Sequence, residues 1–273
     1  MTDRYAVFGH PVAHSKSPLI HAAFAEQTGQ ALTYTAIEAP ADDFAGAWQR
    51  FAAGGGRGAN VTVPFKGEAY ALSETVSHRA RQARAVNTLI VGGNGRLYGD
   101  NTDGIGLARD LAYHGVGLKG KRVLVIGAGG AVRGVLAPLL GEAPREIVIA
   151  NRTAAKADAL AEAFGAAGRI SGGGFEAIRG AFDVVINGSS ASLSGDMPPL
   201  PDGLFAENAT AYDMMYGAEP TVFLRWAQAR GAHAVDGLGM LVEQAAEAFF
   251  LWRSVRPETE AVRAMLRRTL ADG

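Results

Sequence analysis

Lys66 and Asp103 are the residues of this chain whose types best suit proton chemistry. Lys66 follows residues 57–63, an apolar segment that we interpret as a buried strand interrupted at Pro64. An ammonium beside an apolar element responds strongly to desolvation and to a nearby carboxylate, and either can prepare it for proton transfer. Asp103 offers that carboxylate. Judged alone, Lys66 is more simply explained as a solvated surface lysine, and Asp103 could be the cap of the following helix.

Neutral hydrogen-bonding side chains are frequent in the same part of the sequence. They stand in the segments HSKSP, NVTVPFK, AVNTL and GDNTDG, as Ser15, Ser17, Asn60, Thr62, Asn87, Asn101 and Thr102. Converging hydroxyls and amides suit a small polyhydroxylated molecule, because each hydroxyl of the ligand needs a donor or an acceptor. Each segment also has a plainer explanation, since the serines can cap a helix and Asn87 can belong to a turn.

A glycine-rich turn between a predicted strand and a predicted helix indicates a dinucleotide site. Its residues are Gly127, Ala128, Gly129, Gly130 and Ala131. Glycines let the backbone approach a pyrophosphate, and the N-terminus of the helix supplies oriented N–H groups. Val132 replaces the third glycine of the G-x-G-x-x-G pattern, and we expect Ala131 to provide the close helix–strand packing instead. A tight turn without a ligand is the alternative.

The end of the second predicted strand of this unit discriminates between cofactors. NAD sites typically carry an acid there, whereas this chain has Asn151, Arg152 and Thr153, with Lys156 one turn further on. Two cations without an acid favour a ribose 2′-phosphate. Because cations at a helix N-terminus oppose the helix dipole, a ligand explains them better than helix stability does. We therefore predict NADP, with a solvated basic helix start as the alternative.

The composition limits the class of protein. A length of 273 residues suggests about two domains, and 48% apolar residues suffice for two cores. The net charge of −1 provides no basic field for nucleic acid or an anionic membrane. Cysteine is absent, which excludes disulfides and thiolate chemistry, and we predict no metal site. Without a signal-peptide pattern, we expect a cytoplasmic protein that is a monomer or a homodimer.

The predicted elements that must position these residues alternate along the chain. We predict helices at residues 19–27, 42–53, 103–114, 131–140, 153–164, 238–253 and 258–270. We predict strands at residues 32–37, 57–63, 88–91, 96–98, 122–126, 146–150, 182–187 and 211–214. Short apolar strands separated by helices, from Gly120 onward, indicate a doubly wound parallel sheet. The run Gly172-Gly173-Gly174 is interpreted as a loop.

Taken in order, these motifs resemble the shikimate dehydrogenase family. The matching segments, from about Val7 to Pro257, are HSKSP, NVTVPFK, AVNTL, DNTDG, GAGGAVRG, NRT, YDMMYG and DGLGMLVEQAAEAF. The resemblance implies that Lys66 and Asp103 form the catalytic pair. It implies that the substrate is bound by Ser15, Ser17, Thr62, Lys66, Asn87, Asp103, Tyr216 and Gln244. It implies that the cofactor is bound by Gly127, Ala128, Gly129, Gly130, Ala131, Asn151, Arg152, Thr153, Lys156, Met214, Gly237 and Met240.

The resemblance also implies a fold and an activity. The expected fold is α/β, with a substrate domain at residues 1–103, a Rossmann-like NADP domain at 104–236, and C-terminal helices at 237–273 that return to the first domain. The expected reaction is the reversible NADPH-dependent reduction of 3-dehydroshikimate to shikimate. One alternative is a quinate/shikimate dehydrogenase with broader substrate and cofactor use. The other is a non-catalytic NADP-binding regulatory module, which would not need both Lys66 and Asp103.

Overall fold

The chain divides into two compact units in the computed structural model, which describes residues 2–189 and 195–272. The first unit contains residues 1–106 and 242–264, and the second contains residues 107–241 and 265–273. This division differs from the expected one at the C-terminus, where residues 237–241 and 265–273 belong with the second unit. The Arg267 guanidinium explains part of the difference, because its Nη2 donates to Asp236 Oδ1 at 2.7 Å within that unit.

The first unit is an α/β structure built on a mixed sheet. Its strands are β1 (Asp3–Gly9), β2 (Leu32–Glu38), β3 (Gly56–Val61), β4 (Thr75–Val76), β5 (Thr88–Val91) and β6 (Leu97–Asp100). Its helices are α1 (Ser17–Thr28), α2 (Phe44–Ala53), α3 (Lys66–Leu72) and α4 (His78–Ala83). The strand order is β2-β1-β3-β5-β6-β4. β1 is parallel to β2 and β3, whereas β5 is antiparallel to both β3 and β6.

Aromatic side chains form the core of the first unit on one face of this sheet. Phe8 on β1 is fully buried and packs edge-on against Phe44 and Phe51 of α2, with ring centroids 5.9 and 5.6 Å apart. The helix begins at a side-chain cap, because Asp43 Oδ1 accepts the Gly46 N–H at 2.9 Å. Burial of these rings fixes α2 against β1 and β3. It thereby also holds the edge of the sheet at which these two strands end.

The second unit is a doubly wound parallel sheet, as expected. Its strands are β7 (Arg122–Ile126), β8 (Glu146–Ala150), β9 (Ile170–Gly173), β10 (Phe182–Asn187), β11 (Phe205–Asp213) and β12 (His233–Asp236). The helices between them are α6 (Gly130–Gly141), α7 (Ala154–Phe164) and α8 (Val222–Gln228). The strand order β12-β11-β10-β7-β8-β9 reverses direction between β7 and β10. This is the order of dinucleotide-binding units, in which ligands bind at the reversal point.

The central strand of the second unit is buried on both faces. Val123 and Val125 join one apolar cluster, with residues of α6 and α7, whereas Leu124 joins a second cluster with residues of α8. Successive side chains of a strand point to opposite faces, so a continuous apolar run is what a doubly covered strand requires. Such a strand holds the turn at its carboxyl end rigidly.

Three helices complete the chain: α5 (Asp103–Tyr113), α9 (Leu238–Arg253) and α10 (Glu260–Ala271). Each contains one of the boundaries between the units. Residues 242–264 belong to the first unit, so most of α9 returns to that unit, as we predicted for the C-terminal helices. No helix in the described part of the chain is long and apolar enough to cross a membrane.

Three local interpretations of the sequence are wrong. The glycine run enters strand β9, where a Cβ at Gly172 would lie 2.3 Å from the carbonyl carbon of Ala157, so only glycine permits this close approach of α7. Strand β3 ends at Val61, two residues before the predicted end at residue 63, and Val63 is 66% exposed and not buried. Ala131 is exposed and does not pack the helix against the strand.

Val132, next to Ala131, is the residue that packs there. It is fully buried, and a Cβ at Gly188 would lie 2.5 Å from its Cγ2. The missing third glycine of the turn is therefore compensated by a glycine after β10, which makes room for the valine.

Candidate active site

The topology of the first sheet places the predicted substrate-binding residues at one edge. β1 and β3 are parallel, so the segments after their carboxyl ends lie at the same edge of the sheet. Because β5 is antiparallel to β3 and β6 is antiparallel to β5, the start of β5 and the end of β6 lie there too. Asn87 precedes β5, and Asp103 follows β6. The hairpin register therefore brings together residues that the sequence separates.

Lys66 and Asp103 form an ion pair at this edge. Lys66 Nζ donates to Asp103 Oδ2 at 2.6 Å, and Asn87 Nδ2 donates to Asp103 Oδ1 at 2.8 Å. The side chains of Lys66 and Asp103 are 27% and 13% exposed, so the pair is partly shielded from water but open to a ligand. Asp103 is the first residue of α5, where a carboxylate complements the helix dipole. The carboxylate thus has a donor on each oxygen and a fixed orientation.

Gln244 joins this group from α9. Its Oε1 lies 3.4 Å from Thr102 Oγ1 and 3.5 Å from Asn87 Nδ2, both within the first unit. The Thr102 N–H donates to Asn87 Oδ1 at 2.9 Å, which fixes the orientation of the Asn87 amide because a backbone N–H can only donate. The structure therefore brings Lys66, Asp103, Asn87 and Gln244 together.

A chain of hydrogen bonds with a defined direction, partly buried at Tyr34 and buried beyond it, leads to Asn87. Tyr34 Oη donates to Asn60 Oδ1 at 2.7 Å, and Asn60 Nδ2 donates to Thr88 Oγ1 at 3.2 Å. Thr88 Oγ1 then donates to Asn87 Oδ1 at 2.8 Å. Burial raises the pKa of the Tyr34 phenol, so it keeps its proton and remains a donor. The chain holds the amide of Asn87 with its NH₂ group toward Asp103.

His21 supports this chain as a neutral imidazole. Burial lowers its pKa to about 3, although its hydrogen bond to Asn60 opposes the shift. Its ring stacks on Tyr34 at a centroid distance of 4.2 Å, and its Nε2 lies 3.2 Å from Asn60 Oδ1. Because that oxygen is an acceptor, Nε2 carries the proton, and the buried Nδ1 has no hydrogen-bond partner in the described part of the chain.

The remaining predicted substrate residues lie in two places. Ser15 and Ser17 precede and begin α1, and the Ser17 N–H donates to Ser15 Oγ at 3.3 Å. Thr62 directly follows β3, so it shares the sheet edge with them. Tyr216 follows β11 in the second unit. Burial raises the pKa of the Tyr216 phenol, and the Asp236 carboxylate adds to this shift, so the phenol is a hydrogen-bond donor.

In the second unit, the glycine turn leads into a helix without a side-chain cap. The N-cap of α6 is Gly129, which has no side chain to bond the first N–H groups of the helix. Gly127 adopts a φ of 107°, a conformation that side chains rarely adopt. Gly130 begins α6, next to the exposed Ala131. These N–H groups and the positive end of the helix dipole favour an anion.

A cavity of about 420 Å³ adjoins this turn. It is lined by Gly127, Ala128, Gly129, Asn151, Arg152, Thr153, Lys156, Gly188 and Ser189. Arg152 and Lys156 are exposed and make no ion pair within residues 2–189 and 195–272. Two cations without an ion-pair partner among the described residues, beside a helix that has no side-chain cap, fit a phosphorylated dinucleotide. The predicted residues Gly130 and Ala131 lie outside the lining of this cavity.

The other predicted cofactor residues lie at the carboxyl edge of the same parallel sheet. Met214 follows β11 and Gly237 follows β12, which pair as neighbours. The Gly237 N–H donates to the Met215 carbonyl at 3.1 Å, and a Cβ at Gly237 would lie 2.3 Å from the Met214 carbonyl oxygen. Met240 is buried in the same apolar cluster as Met214. The edge that carries the glycine turn thus also carries these residues.

Several residues of both sites were not predicted from the sequence. Gly188 and Ser189 line the cavity, and Asn187 Oδ1 accepts the Ser189 N–H at 3.1 Å. The available signal was a strand ending in Asn-Gly, because in a parallel sheet every carboxyl end lies at the ligand edge. The sequence contains no pattern that marks Tyr34 or Thr88 as part of the site, because each lies within a predicted strand. The described residues hold no group of three or more His, Cys, Asp or Glu side chains that could bind a metal ion.

The fold and the two sites define a class of protein. A parallel unit with a glycine turn and unpaired cations binds dinucleotides, and an α/β unit with a Lys–Asp pair among amides and hydroxyls binds a small polar molecule. This is the class of two-unit, dinucleotide-dependent α/β enzymes.

Comparison with known proteins identifies the family. The model described as "Shikimate dehydrogenase substrate binding domain" matches residues 7–89, "Shikimate / quinate 5-dehydrogenase" matches 110–194, and "Shikimate 5'-dehydrogenase C-terminal domain" matches 237–267. The chain is 66% identical to the "Shikimate dehydrogenase (NADP(+))" of Chromohalobacter salexigens, over 98% of this chain and 99% of that protein.

Solved structures agree with this relationship. An Ael1 enzyme from Pseudomonas putida superposes with a TM-score of 0.92 at 50% identity, over 97% of this chain and 98% of that one. A shikimate 5-dehydrogenase from Thermus thermophilus, in complex with NADP(H) and shikimate, superposes with a TM-score of 0.87 at 38% identity, over 98% of this chain and 100% of that one. The chain belongs to the shikimate dehydrogenase family.

Proposed function

We propose that the protein catalyses the reversible reduction of 3-dehydroshikimate to shikimate by NADPH. The observation that carries this proposal is the Lys66–Asp103 pair, at 2.6 Å, with Asn87 on the second carboxylate oxygen. An ammonium held in this way can act on the oxygen of a ketone while it gains negative charge. The relatives that carry the name shikimate dehydrogenase (NADP(+)) support the substrate and the cofactor.

The cofactor proposal rests on the second unit. When bound, NADPH supplies a hydride to the carbonyl carbon of the substrate. The N-terminus of α6 binds the pyrophosphate through its backbone N–H groups. Arg152 and Lys156 bind the 2′-phosphate, the arginine with its planar fork and the lysine as a point charge. Asn151 and Thr153 flank the adenosine, and Met214, Gly237 and Met240 lie on the nicotinamide side of the site.

The residues of the first unit handle the substrate. Lys66 protonates the alkoxide oxygen as it forms, or stabilises it as a fixed positive charge, and solvent then restores the proton. Asp103 orients the ammonium and accepts a hydrogen bond from a substrate hydroxyl. Asn87 and Gln244 bind the remaining hydroxyls, because their amides offer both donors and acceptors. Ser15, Ser17, Thr62 and Tyr216 complete the set that holds the hydroxyls and the carboxylate.

One alternative substrate has a specific observation in its favour. The family model that matches residues 110–194 is described as shikimate or quinate 5-dehydrogenase. Quinate carries an extra hydroxyl, which a small change in the pocket could admit. The unpaired cations Arg152 and Lys156 argue against a preference for NAD, whose ribose has no phosphate to bind them.

A kinetic assay with purified protein tests the proposal. NADPH oxidation is followed with 3-dehydroshikimate, and the reverse reaction with shikimate and quinate, each with NADP and NAD. We expect the highest kcat/KM for the pair shikimate and NADP. A higher kcat/KM for quinate would identify the broader enzyme, and no turnover of any pair would favour the regulatory module.

The cellular location, the oligomeric state and the partners of the protein also remain predictions. We propose a cytoplasmic monomer or homodimer that binds neither nucleic acid nor membrane. The proposal is supported by the net charge of −1. Light scattering of the purified protein measures the mass directly, and a mass above that of two chains of 28.4 kDa would refute the expected assembly.

A further inference from the structure

A chain of alternating charges lies in the first unit beside the candidate active site. Its members, in order, are Asp100, Arg79, Glu247, Arg256, Glu243 and Arg263. The three carboxylates are each 10% exposed or less at the side chain, so their charges depend on these partners. Cations and anions are equal in number, so the chain is electrically neutral as a whole.

Arg79 joins two structural elements within this chain. Its Nε and Nη2 donate to the two oxygens of Asp100, both at 2.8 Å, which is the side-on bidentate geometry. The same Nη2 donates to Glu247 Oε1 at 3.0 Å. The guanidinium therefore bridges the end of β6 and α9, two elements that are far apart in the sequence.

The first arm of this bridge leads to Asp103 in two short steps. Asp100 Oδ1 accepts the Asn101 N–H at 2.6 Å. Asn101 Oδ1 in turn accepts the Asp103 N–H at 3.1 Å, and its Nδ2 donates to the Ala85 carbonyl at 3.1 Å. A shift of the Asp100 carboxylate therefore moves the backbone that presents Asp103 to Lys66.

The second arm leads to Gln244. Glu247 stands three residues after Gln244 on α9, and residues at this spacing lie on the same face of a helix. Gln244 Oε1 is the acceptor for Asn87 and Thr102 at 3.5 and 3.4 Å. A rotation or shift of α9 would therefore separate Gln244 from these two residues.

We propose that Arg79 is a positioning residue for the reaction. It holds the segment that carries Asp103 and the helix that carries Gln244 in one fixed arrangement, without touching the substrate. This inference rests on the proposed function for the roles of Asp103 and Gln244. Its geometric part rests on contacts within the first unit alone.

The substitution Arg79→Lys tests the inference while the network keeps its charge. A lysine ammonium is a point charge on a flexible stem and cannot reproduce three contacts of a planar fork. We expect kcat/KM for 3-dehydroshikimate to fall about ten- to hundredfold, because small displacements of reacting groups are costly. We expect both kcat and the KM for 3-dehydroshikimate to change in this variant, because one arm of the bridge positions Asp103 and the other positions Gln244. The KM for NADPH stays within about twofold, because its binding residues lie in the second unit.

Arg256→Lys is the matched control. Arg256 donates to Glu247 at 2.9 Å and to Glu243 at 3.2 Å, but it does not contact Asp100. The variant Arg256→Lys makes the same arginine-to-lysine change in the same network, at a more exposed position. We expect its kcat/KM to stay within about threefold of the wild-type value. Equal losses in the two lysine variants would overturn the proposal. So would a parallel rise in the KM for NADPH in Arg79→Lys, which would indicate general destabilisation.

Hydrogen exchange separates this inference from the proposed function. In Arg79→Lys, the amides of residues 101–106 should exchange at least about tenfold faster than in the wild type, because their anchor is loosened. In Arg256→Lys they should exchange at the wild-type rate. Unchanged exchange in Arg79→Lys would refute the positioning role even if the wild type reduces 3-dehydroshikimate. A wild type without turnover would refute the proposed function and leave this measurement valid.

Discussion

Replacing Lys66 by methionine removes the ammonium while keeping most of the volume of the side chain. In the structure, Nζ donates a hydrogen bond to Asp103 Oδ2 at 2.6 Å and is partly shielded from water. General acid catalysis contributes about 10²- to 10⁴-fold to a rate. A fixed charge at a developing oxyanion contributes about 10²- to 10³-fold. We therefore expect kcat to fall roughly 10³-fold, which corresponds to about 4 kcal/mol of transition-state stabilisation.

Substrate binding should be affected much less by this change. Asn87 still donates to Asp103 at 2.8 Å, and Gln244 and Thr102 keep their positions, so most of the predicted hydroxyl-binding groups remain. We expect the KM for 3-dehydroshikimate to change by less than about tenfold, because one hydrogen bond to a charged group is lost. Initial rates of NADPH oxidation over a range of 3-dehydroshikimate concentrations give both constants.

Two further measurements sharpen the test of Lys66. Lys66→Arg keeps a positive charge that cannot be given up, so partial activity in this variant would indicate electrostatic stabilisation, and none would indicate proton donation. A solvent deuterium isotope effect on kcat of the wild type would support proton donation. If kcat of Lys66→Met survived within a few-fold while KM rose greatly, Lys66 would be a binding residue and the reasoning would fail.

Three further predictions concern the cofactor, the pH dependence and the backbone. Arg152→Ala should raise the KM for NADPH about ten- to hundredfold through the loss of a charge-assisted contact to the 2′-phosphate, and equal effects on NADH and NADPH would contradict that role. His21 has a pKa of about 3 in the folded state against 6.5 when unfolded, so below pH 6.5 the unfolded state binds more protons. As the pH falls from 6.5 towards 3, the free energy of unfolding should then decrease by up to about 1.4 kcal/mol per pH unit. Urea titrations at several pH values should show that the free energy of unfolding of His21→Phe depends less steeply on pH than that of the wild type. Gly237→Ala should lower the Tm and weaken NADPH binding, because its Cβ would lie 2.3 Å from the Met214 carbonyl oxygen; unchanged values would show that the backbone can move.

The second unit was predicted well where its signals are local. The bounds of β7 match the prediction, because an apolar run that ends in a glycine turn is encoded by neighbouring residues. Strand β11 begins at Phe205, six residues before the predicted start at residue 211. Glu207 and Asn208 are exposed there and lie in an irregularity of the register, between the Phe182–Phe205 and Val184–Thr210 pairs, so their polarity does not indicate a strand.

The candidate site was predicted through types of residue and not through contacts. Lys66, Asn87 and Asp103 were named from their residue types and Gln244 from the family resemblance, but nothing in the sequence gives the distances between them. The antiparallel register of β5 and β6 pairs Thr88 with Asp100 and so places Asn87 beside the start of α5. Asp103 at the start of that helix and the return of α9 to the first unit complete the arrangement.

The sequence by itself determined the kinds of chemistry that this protein can perform. Strand, turn and helix signals are short-range, so they predicted the dinucleotide unit and its 2′-phosphate cations from neighbouring residues. Only the tertiary structure decided which partners each group has. Arg79 lies 168 residues from Glu247, and Asn87 lies 157 residues from Gln244. Contacts of this range form only when separate elements pack together, so the arrangement around the Lys66–Asp103 pair is a property of the folded chain.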